Sequence, residues 1–338
     1  MEGAEFSSTS LPTKHHDMST HPSYLITGAT GGLGREILST LLGSSIPPSS
    51  ITATSTRAGA GASMTALGVR FAVLDYDEPA SLAAAFEGVD RLFFVSTNTF
   101  DNDRRARQHR NVVDAAERAR VGWVVYSSLA IGGVGVDGAA EEADDVMLMG
   151  AHLETERLLK ASKLNWTAVR EGIYTEAFPV FLNWYPTNAA QTLLLPSDGA
   201  AAFALRSELG EANARLLMRG PGGFENKVVA LTGPRAVRLS EIVDVVNETT
   251  GRQVRVEYVD DEQYVRRNVA NDEGGKGESF FRNWVTLFRA FRDGKMAGVS
   301  LLMEELLERR PKDALEGVRG LLEENQDYTW HQNYAKKG

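Results

Sequence analysis

The residues best equipped for chemistry are a glycine series, two arginines and a histidine. Gly28, Gly31 and Gly34 recur at intervals of three. They follow the apolar run Tyr24–Ile26 and precede Leu33, Ile37, Leu38, Leu41 and Leu42 at helical spacing. Strand, glycine turn and helix in that order make an anion site. Gly28 permits a tight turn, Gly31 lets backbone N–H groups approach a diphosphate, and Gly34 lets the helix pack close on the strand. A plain strand–helix turn could use the same glycines, but the flanking periodicity is that of a dinucleotide fold. The position at the end of the second strand, where an acid often binds the ribose 2′-hydroxyl, is Thr56-Arg57 with no carboxylate nearby. Arg57, with Arg35 as a second cation, would attract a 2′-phosphate, so NADP(H) is expected over NAD(H). The plainer alternative is two solvated surface arginines.

His152 and Glu156 stand one helical turn apart and so share a face. His152 could donate a proton near neutral pH. Equally, it could be a helix-start histidine bonded to Glu156 or to backbone, shaping the pocket without proton transfer. A metal site is the weaker reading, since no third ligand follows at a useful spacing.

Alternating strands and helices must position these groups. Ile51–Ser55, Arg70–Asp75, Arg91–Ser96, Trp123–Ser127 and Asn165–Arg170 are expected as strands after the first, with helices between them. Such alternation gives a parallel sheet covered on both faces, with ligands at the carboxyl ends of its strands. The fold class is therefore α/β, a Rossmann-type doubly wound parallel sheet with a smaller, interleaved C-terminal substrate lobe. Residues 1–21 are expected as a disordered extension, 22–170 as the nucleotide domain and 171–338 mainly as the substrate lobe. The stretch 227–232 would return a strand to the sheet, and Ser240 would cap the helix that Gly251 ends. Ile131–Gly138 is glycine-rich, but no helix begins directly after it, so a mobile loop beside the site is favoured over a second phosphate loop.

Composition sets the outer limits. The chain has 338 residues, 43% of them hydrophobic, which is ample for a large core. A net charge of −9 argues against a nucleic-acid surface. Without cysteine there is no thiolate catalysis and no Cys-based zinc site. No apolar stretch approaches the ~20 residues that span a bilayer, and the N-terminus lacks the apolar core of a secretory signal. A cytoplasmic location is the default, with no membrane partner.

Particular segments then resemble a family. Thr27-Gly-Ala-Thr-Gly-Gly-Leu-Gly34, Thr56-Arg57, Asp75-Tyr-Asp77 and Val112-Val-Asp-Ala-Ala116 are similar to the NmrA-like atypical short-chain dehydrogenases. His152-Leu-Glu-Thr-Glu-Arg-Leu-Leu159 and Trp166-Thr-Ala-Val-Arg-Glu-Gly-Ile-Tyr-Thr-Glu176 resemble the NADPH:quinone oxidoreductase and triphenylmethane reductase branch. Phe203–Ala212 and Glu308–Pro311 look like its C-terminal lobe, so the likeness runs from about Tyr24 to Asn325. It implies that Gly28, Ala29, Thr30, Gly31, Gly32 and Leu33 hold the diphosphate and that Arg57 meets the 2′-phosphate. Asp75 and Tyr76 would flank the adenine, with Ser96 and Thr97 under the ribose. Ser127, Gly172, Ile173 and Tyr174 would line the nicotinamide side.

The chain departs from most short-chain dehydrogenases in having no Tyr-x-x-x-Lys pair after the fifth strand; His152 and Glu156 stand there instead. A quinone tolerates that loss, because its aromatic product makes hydride acceptance easy and orientation the main requirement. Tyr174, Phe178, Phe181 and Trp184, with Tyr185, would suit a flat acceptor, or else form ordinary core of the lobe. The expected function is NADPH-dependent reduction of a quinone or related polycyclic aromatic, within secondary metabolism, by a protein that could act as a homodimer. His152 and Tyr174 are the candidate proton donors; His109 and Asn111 read as surface or packing residues. An NADP(H)-binding redox sensor without turnover is the alternative, and a ketone or imine reductase, which would need an acid, is a third.

Overall fold

The strands of the main sheet are short and mostly apolar, and the first five are each followed by a helix. In the computed structural model, which describes residues 21–132, 146–187 and 190–334, β1 (Tyr24–Ile26) leads into α1 (Gly32–Leu42). The pattern repeats as β2 (Ile51–Ser55) and α2 (Gly61–Thr65), then β3 (Arg70–Val73) and α3 (Pro79–Phe86). Next come β4 (Arg91–Phe94) and α4 (Asn102–Ala119), then β5 (Trp123–Leu129) and α5 (Gly150–Ala161). β6 (Trp166–Glu171) ends the regular alternation, and α6 (Phe178–Leu182), β7 (Ala190–Leu195) and β8 (Ala200–Ala201) leave the sheet. After α7 (Arg206–Arg219), β9 (Lys227–Leu231) returns and pairs with β6. The remainder is β10 (Val237–Arg238), α8 (Leu239–Thr250), β11 (Gln253–Tyr258), α9 (Asp261–Ala270), α10 (Gly277–Arg292), α11 (Leu302–Leu307) and α12 (Ala314–Glu324).

The seven-stranded sheet is parallel throughout, in the order β3-β2-β1-β4-β5-β6-β9. Chain order reverses direction on either side of β1, the arrangement that opens a crevice at the carboxyl ends of β1 and β4. Alternation along β1 sends Tyr24 and Ile26 into one core layer and Leu25 into the other. The first layer holds α1, α7 and α11; the second holds α3 and α4. A third and larger core lies in the C-terminal lobe, built on α6, α8 and α10. That lobe also holds two features the sequence pattern hides: the parallel pair β7–β11 and the antiparallel pair β8–β10.

Several sequence expectations change. Ser240 lies inside α8 and bonds Asp198; the Glu241 carboxylate accepts the Arg238 N–H at 2.7 Å and caps the helix instead. Gly251, at φ +69°, does end it. Residues 133–138 of the glycine-rich loop and the extension at 1–20 lie outside the described residues.

Helices α1 and α7 approach closely. A Cβ on Gly210 would lie 2.2 Å from the Glu36 Cβ and 3.0 Å from its carbonyl carbon. Gly210→Ala should therefore force the helices apart and lower stability by about 1–3 kcal/mol, the usual cost of overpacking. An unchanged thermal midpoint would contradict this contact.

Candidate functional site

The glycine turn is shaped by its own backbone. Gly28 adopts φ +59°, and its carbonyl accepts the Gly31 N–H at 2.8 Å. A Cβ on Gly34 would stand 2.5 Å from that same carbonyl oxygen, so only glycine lets α1 sit this close to β1. Ala29 is buried with its N–H on the Thr54 carbonyl at 2.9 Å, and Thr30 Oγ1 lies 2.9 Å from Ser55 Oγ, tying the turn to β2. Gly31 is the N-cap of α1; no side chain caps this helix and no acid lies in its first turn. The first amides of Gly32 and Leu33 thus belong to an uncapped positive helix end, a fit for a diphosphate.

The other nucleotide candidates gather along the same sheet edge. Arg57 follows β2, is exposed, and anchors its N–H on Ser55 Oγ at 3.2 Å. Arg35 is also exposed, and among the described residues neither arginine has an ion-pair partner. Asp75 and Tyr76 follow β3. The Tyr76 hydroxyl donates to the Val95 carbonyl at 2.9 Å and lies 2.6 Å from Thr27 Oγ1, bridging β3 to β1 and β4. The Ser96 N–H donates to Ser127 Oγ at 2.8 Å, joining the ends of β4 and β5. Gly172 and Ile173 are buried after β6. A Cβ on Gly172 would meet the Ala202 carbonyl oxygen at 2.5 Å, so this glycine admits a neighbouring chain segment.

His152 does not face this edge. It is buried, with Nδ1 2.7 Å from the Tyr126 hydroxyl and Nε2 3.3 Å from the Arg105 guanidinium. Burial, reinforced by Arg105, holds its pKa well below the usual histidine value. With both ring nitrogens engaged and the ring kept neutral, it has no proton to offer an acceptor. Nor does it pair with Glu156, which takes a buried bidentate bond from Arg170, at 3.0 and 2.7 Å, and a bond from Ser128 at 2.6 Å. His109, read as a surface or packing residue, is fully buried and packs. Its Nε2 accepts the Thr97 N–H at 3.1 Å, and its Nδ1 lies 2.7 Å from Thr155 Oγ1. Burial pushes its pKa down to about 3. The two histidines therefore act as neutral struts that set the loop after β4.

Among the aromatic candidates the structure separates one from the rest. Phe178 and Trp184 stack on each other, and Phe181 packs on Trp284, Phe203 and Phe291; all three are buried core of the C-terminal lobe. They fill the lobe, so the expectation that they line an acceptor site is corrected. Tyr174 is half-buried at the carboxyl end of β6 and touches two cores. Its hydroxyl donates to Glu171 Oε2 at 2.9 Å, and Asn213 Nδ2 donates to the other oxygen at 2.7 Å. Burial pushes the Glu171 carboxyl up to about 8 against the pull of those two bonds.

Glu171 had a sequence signal, three residues before Tyr174 in a segment read only as strand end. Phe100, half-buried beyond Ser96 and Thr97, had none. It meets Phe280 and Trp284 edge-on at 5.7 and 5.8 Å. Also unread were Arg206 and the C-terminal tail. The Arg206 guanidinium rests on Gly32 and under the Trp330 ring, while Gln332 and His331 bond Asn98 after β4. A hollow of about 700 Å³ between α7 and the segment Arg309–Glu316 contains none of the sheet-edge residues.

Comparison with known proteins agrees with this fold. A family model described as NAD(P)H-binding matches residues 28–180. The chain is 45% identical, over 93% of its length and 99% of the relative's, to the NmrA-like family domain-containing oxidoreductase flvB of Aspergillus flavus. It is 32% identical to quinone oxidoreductase 2 of Escherichia coli, over 68% of this chain and 75% of the relative. The solved structure of the Escherichia coli NADPH-dependent quinone oxidoreductase with NADPH superposes with a TM-score of 0.75 at 26% identity, covering 88% of this chain and 99% of that one. Citrobacter sp. triphenylmethane reductase with NADP(H) gives 0.74 at 27% identity, with the same coverage. The chain belongs to the NmrA-like family of NAD(P)H-binding oxidoreductases.

Proposed function

We propose that this protein reduces a quinone or a related polycyclic aromatic with NADPH, at the carboxyl edge of the sheet. One observation carries this: Tyr174, partly buried at that edge, is bonded to a buried, proton-retaining Glu171 behind it. When bound, NADPH supplies the hydride. The bare amides of α1 would hold the diphosphate and Arg57 the 2′-phosphate, with Asp75 and Tyr76 beside the adenine and Ser96, Thr97 and Ser127 along the ribose and nicotinamide side. Tyr174 and Phe100 offer the acceptor an apolar face, which fixes its ring for transfer. A quinone that gains a hydride becomes a hydroquinone monoanion and needs one proton. With Glu171 protonated the 2.9 Å contact reverses: the Tyr174 oxygen accepts from the Glu171 carboxyl as the tyrosine's own proton passes to the acceptor. The tyrosinate that burial and Glu171 disfavour therefore never has to form. His152 and His109 position the loop and take no part in proton transfer.

An enzyme suits the surface better than a sensor does. Large exposed apolar side chains are few among the described residues: Leu67, Val73, Tyr258, Val269, Val299, Leu301 and Tyr334.

NADPH oxidation should proceed with 1,4-naphthoquinone and fail with acetophenone, which has no aromatic product to gain. Tight NADPH binding with no turnover on any quinone would sink the proposal in favour of the sensor. Arg57→Ala should raise the Kd of NADPH by roughly 10-fold or more while leaving that of NADH unchanged, since only a charge-assisted bond to the 2′-phosphate is lost. Tyr174→Phe should lower kcat on the quinone by about 10-fold or more, whereas His152→Gln should cost thermal stability and leave kcat near wild type. Turnover should fall as pH rises through about 8, where Glu171 gives up its proton, and Glu171→Gln should abolish that limb. A flat profile in the unmodified protein would remove Glu171 from the mechanism.

A further inference from the structure

Arg206 is the first residue of α7, as Gly32 is the first of α1, and the two helices run side by side. Four residues further along each, Gly210 meets Glu36, so the pairing of Arg206 with Gly32 is a register and not an accident of one rotamer. A Cβ on Gly32 would lie 2.6 Å from the Arg206 Nη1 and 2.8 Å from Cζ; the guanidinium lies flat against the glycine turn. Its Nε is buried with no hydrogen-bond partner. The one acid bonded to this residue, Glu176, takes the backbone N–H, at 3.1 and 3.2 Å, and not the guanidinium. Among the described residues the guanidinium makes no ion pair, although its charge reaches the neighbouring Glu176 carboxylate, and the Trp330 ring lies 4.7 Å from Cζ to centroid.

A cation held over an aromatic face, beside an uncapped helix end and with a buried donor unused, is arranged for an anion that approaches the turn. We propose that Arg206 is a ligand of the cofactor's diphosphate, delivered from the interleaved lobe, and that Trp330 is the positioning residue that holds it over Gly32. The inference rests on the diphosphate lying along Gly28–Gly34. Nucleotide binding then joins three separate parts of the chain: α1, α7 and the C-terminal tail. The tail is tied to the loop after β4 through Asn98 and to the lobe through Asn333, whose Nδ2 donates to the Trp184 carbonyl at 2.8 Å.

Equilibrium binding of NADPH, NADH and adenosine 2′-monophosphate to the full chain tests this. Arg206→Gln should weaken NADPH and NADH by one common factor, roughly 10- to 100-fold, as expected for loss of a charged hydrogen bond. Adenosine 2′-monophosphate has no diphosphate, so its affinity should not change. Arg206→Lys should recover part of the loss, which separates charge from folding. Trp330→Leu should weaken NADPH by a smaller factor and add nothing in the Arg206→Gln background. Unchanged NADPH affinity in Arg206→Gln would overturn the assignment, as would a loss confined to NADPH, which would place Arg206 on the 2′-phosphate. Gly31→Val distinguishes the two levels. If it weakens both nucleotides while Arg206→Gln does not, the turn holds the diphosphate without Arg206. If it weakens neither, the turn itself is not the site and the inference falls with it.

Discussion

An α-helix leaves its first amides without intrahelical partners, and where those amides point depends on how the helix meets its strand. Here the contact of Gly34 with the Gly28 carbonyl sets that angle. No side chain bonds the exposed amides and no acid occupies the first turn. The rest of this sheet edge is arranged around that bare helix end. Thr30 locks it to β2, Tyr76 ties β3 to β1 and β4, and Ser127 holds the Ser96 amide. The candidate site is thus a row of strand ends held in fixed relation by bonds, with Arg206 lying against the turn.

Behind that edge lies a polar layer of a different kind. His109, His152, Tyr126, Arg105 and Thr155 bond to one another inside the second core, and Glu156 pairs with Arg170 beside them. Buried polar groups bonded to one another fix one arrangement of the elements that carry them, even with Arg105 Nε and Arg170 Nη1 left unpaired. Here they fix α4 and α5 against β5, and with them the loop that holds Ser96 and Thr97. That account gives the two histidines a purpose without asking either to titrate in the working pH range.

Local signals were legible and partnerships were not. The strand–turn–helix start, the parallel alternation and the returning strand at β9 all rest on spacings that a linear chain displays, and they stand as expected. Arg57 is a candidate from the absence of an acid at one strand end, and the structure leaves it exposed there. A bond from His152 to Glu156, one of the alternatives the spacing allowed, does not form, because helical spacing gives a shared face but not the partner across it; Arg170, on β6, outcompetes the histidine with two charge-assisted bonds. Phe178, Phe181 and Trp184 cluster in sequence whether they line a cleft or fill a core, and only the positions of Phe203, Trp284 and Phe291 decide between the two. Arg206 is 174 residues from the glycine it covers and Trp330 a further 124, distances at which no spacing rule speaks.

The central claim is one of place: the cofactor lies along the sheet edge with its diphosphate on the turn. A structure of the protein with NADP+ tests this most directly. The account predicts diphosphate oxygens within hydrogen-bond distance of the Gly32 and Leu33 amides, with the 2′-phosphate at Arg57. A nucleotide seated instead in the hollow between α7 and Arg309–Glu316, with the glycine turn facing water, would contradict it.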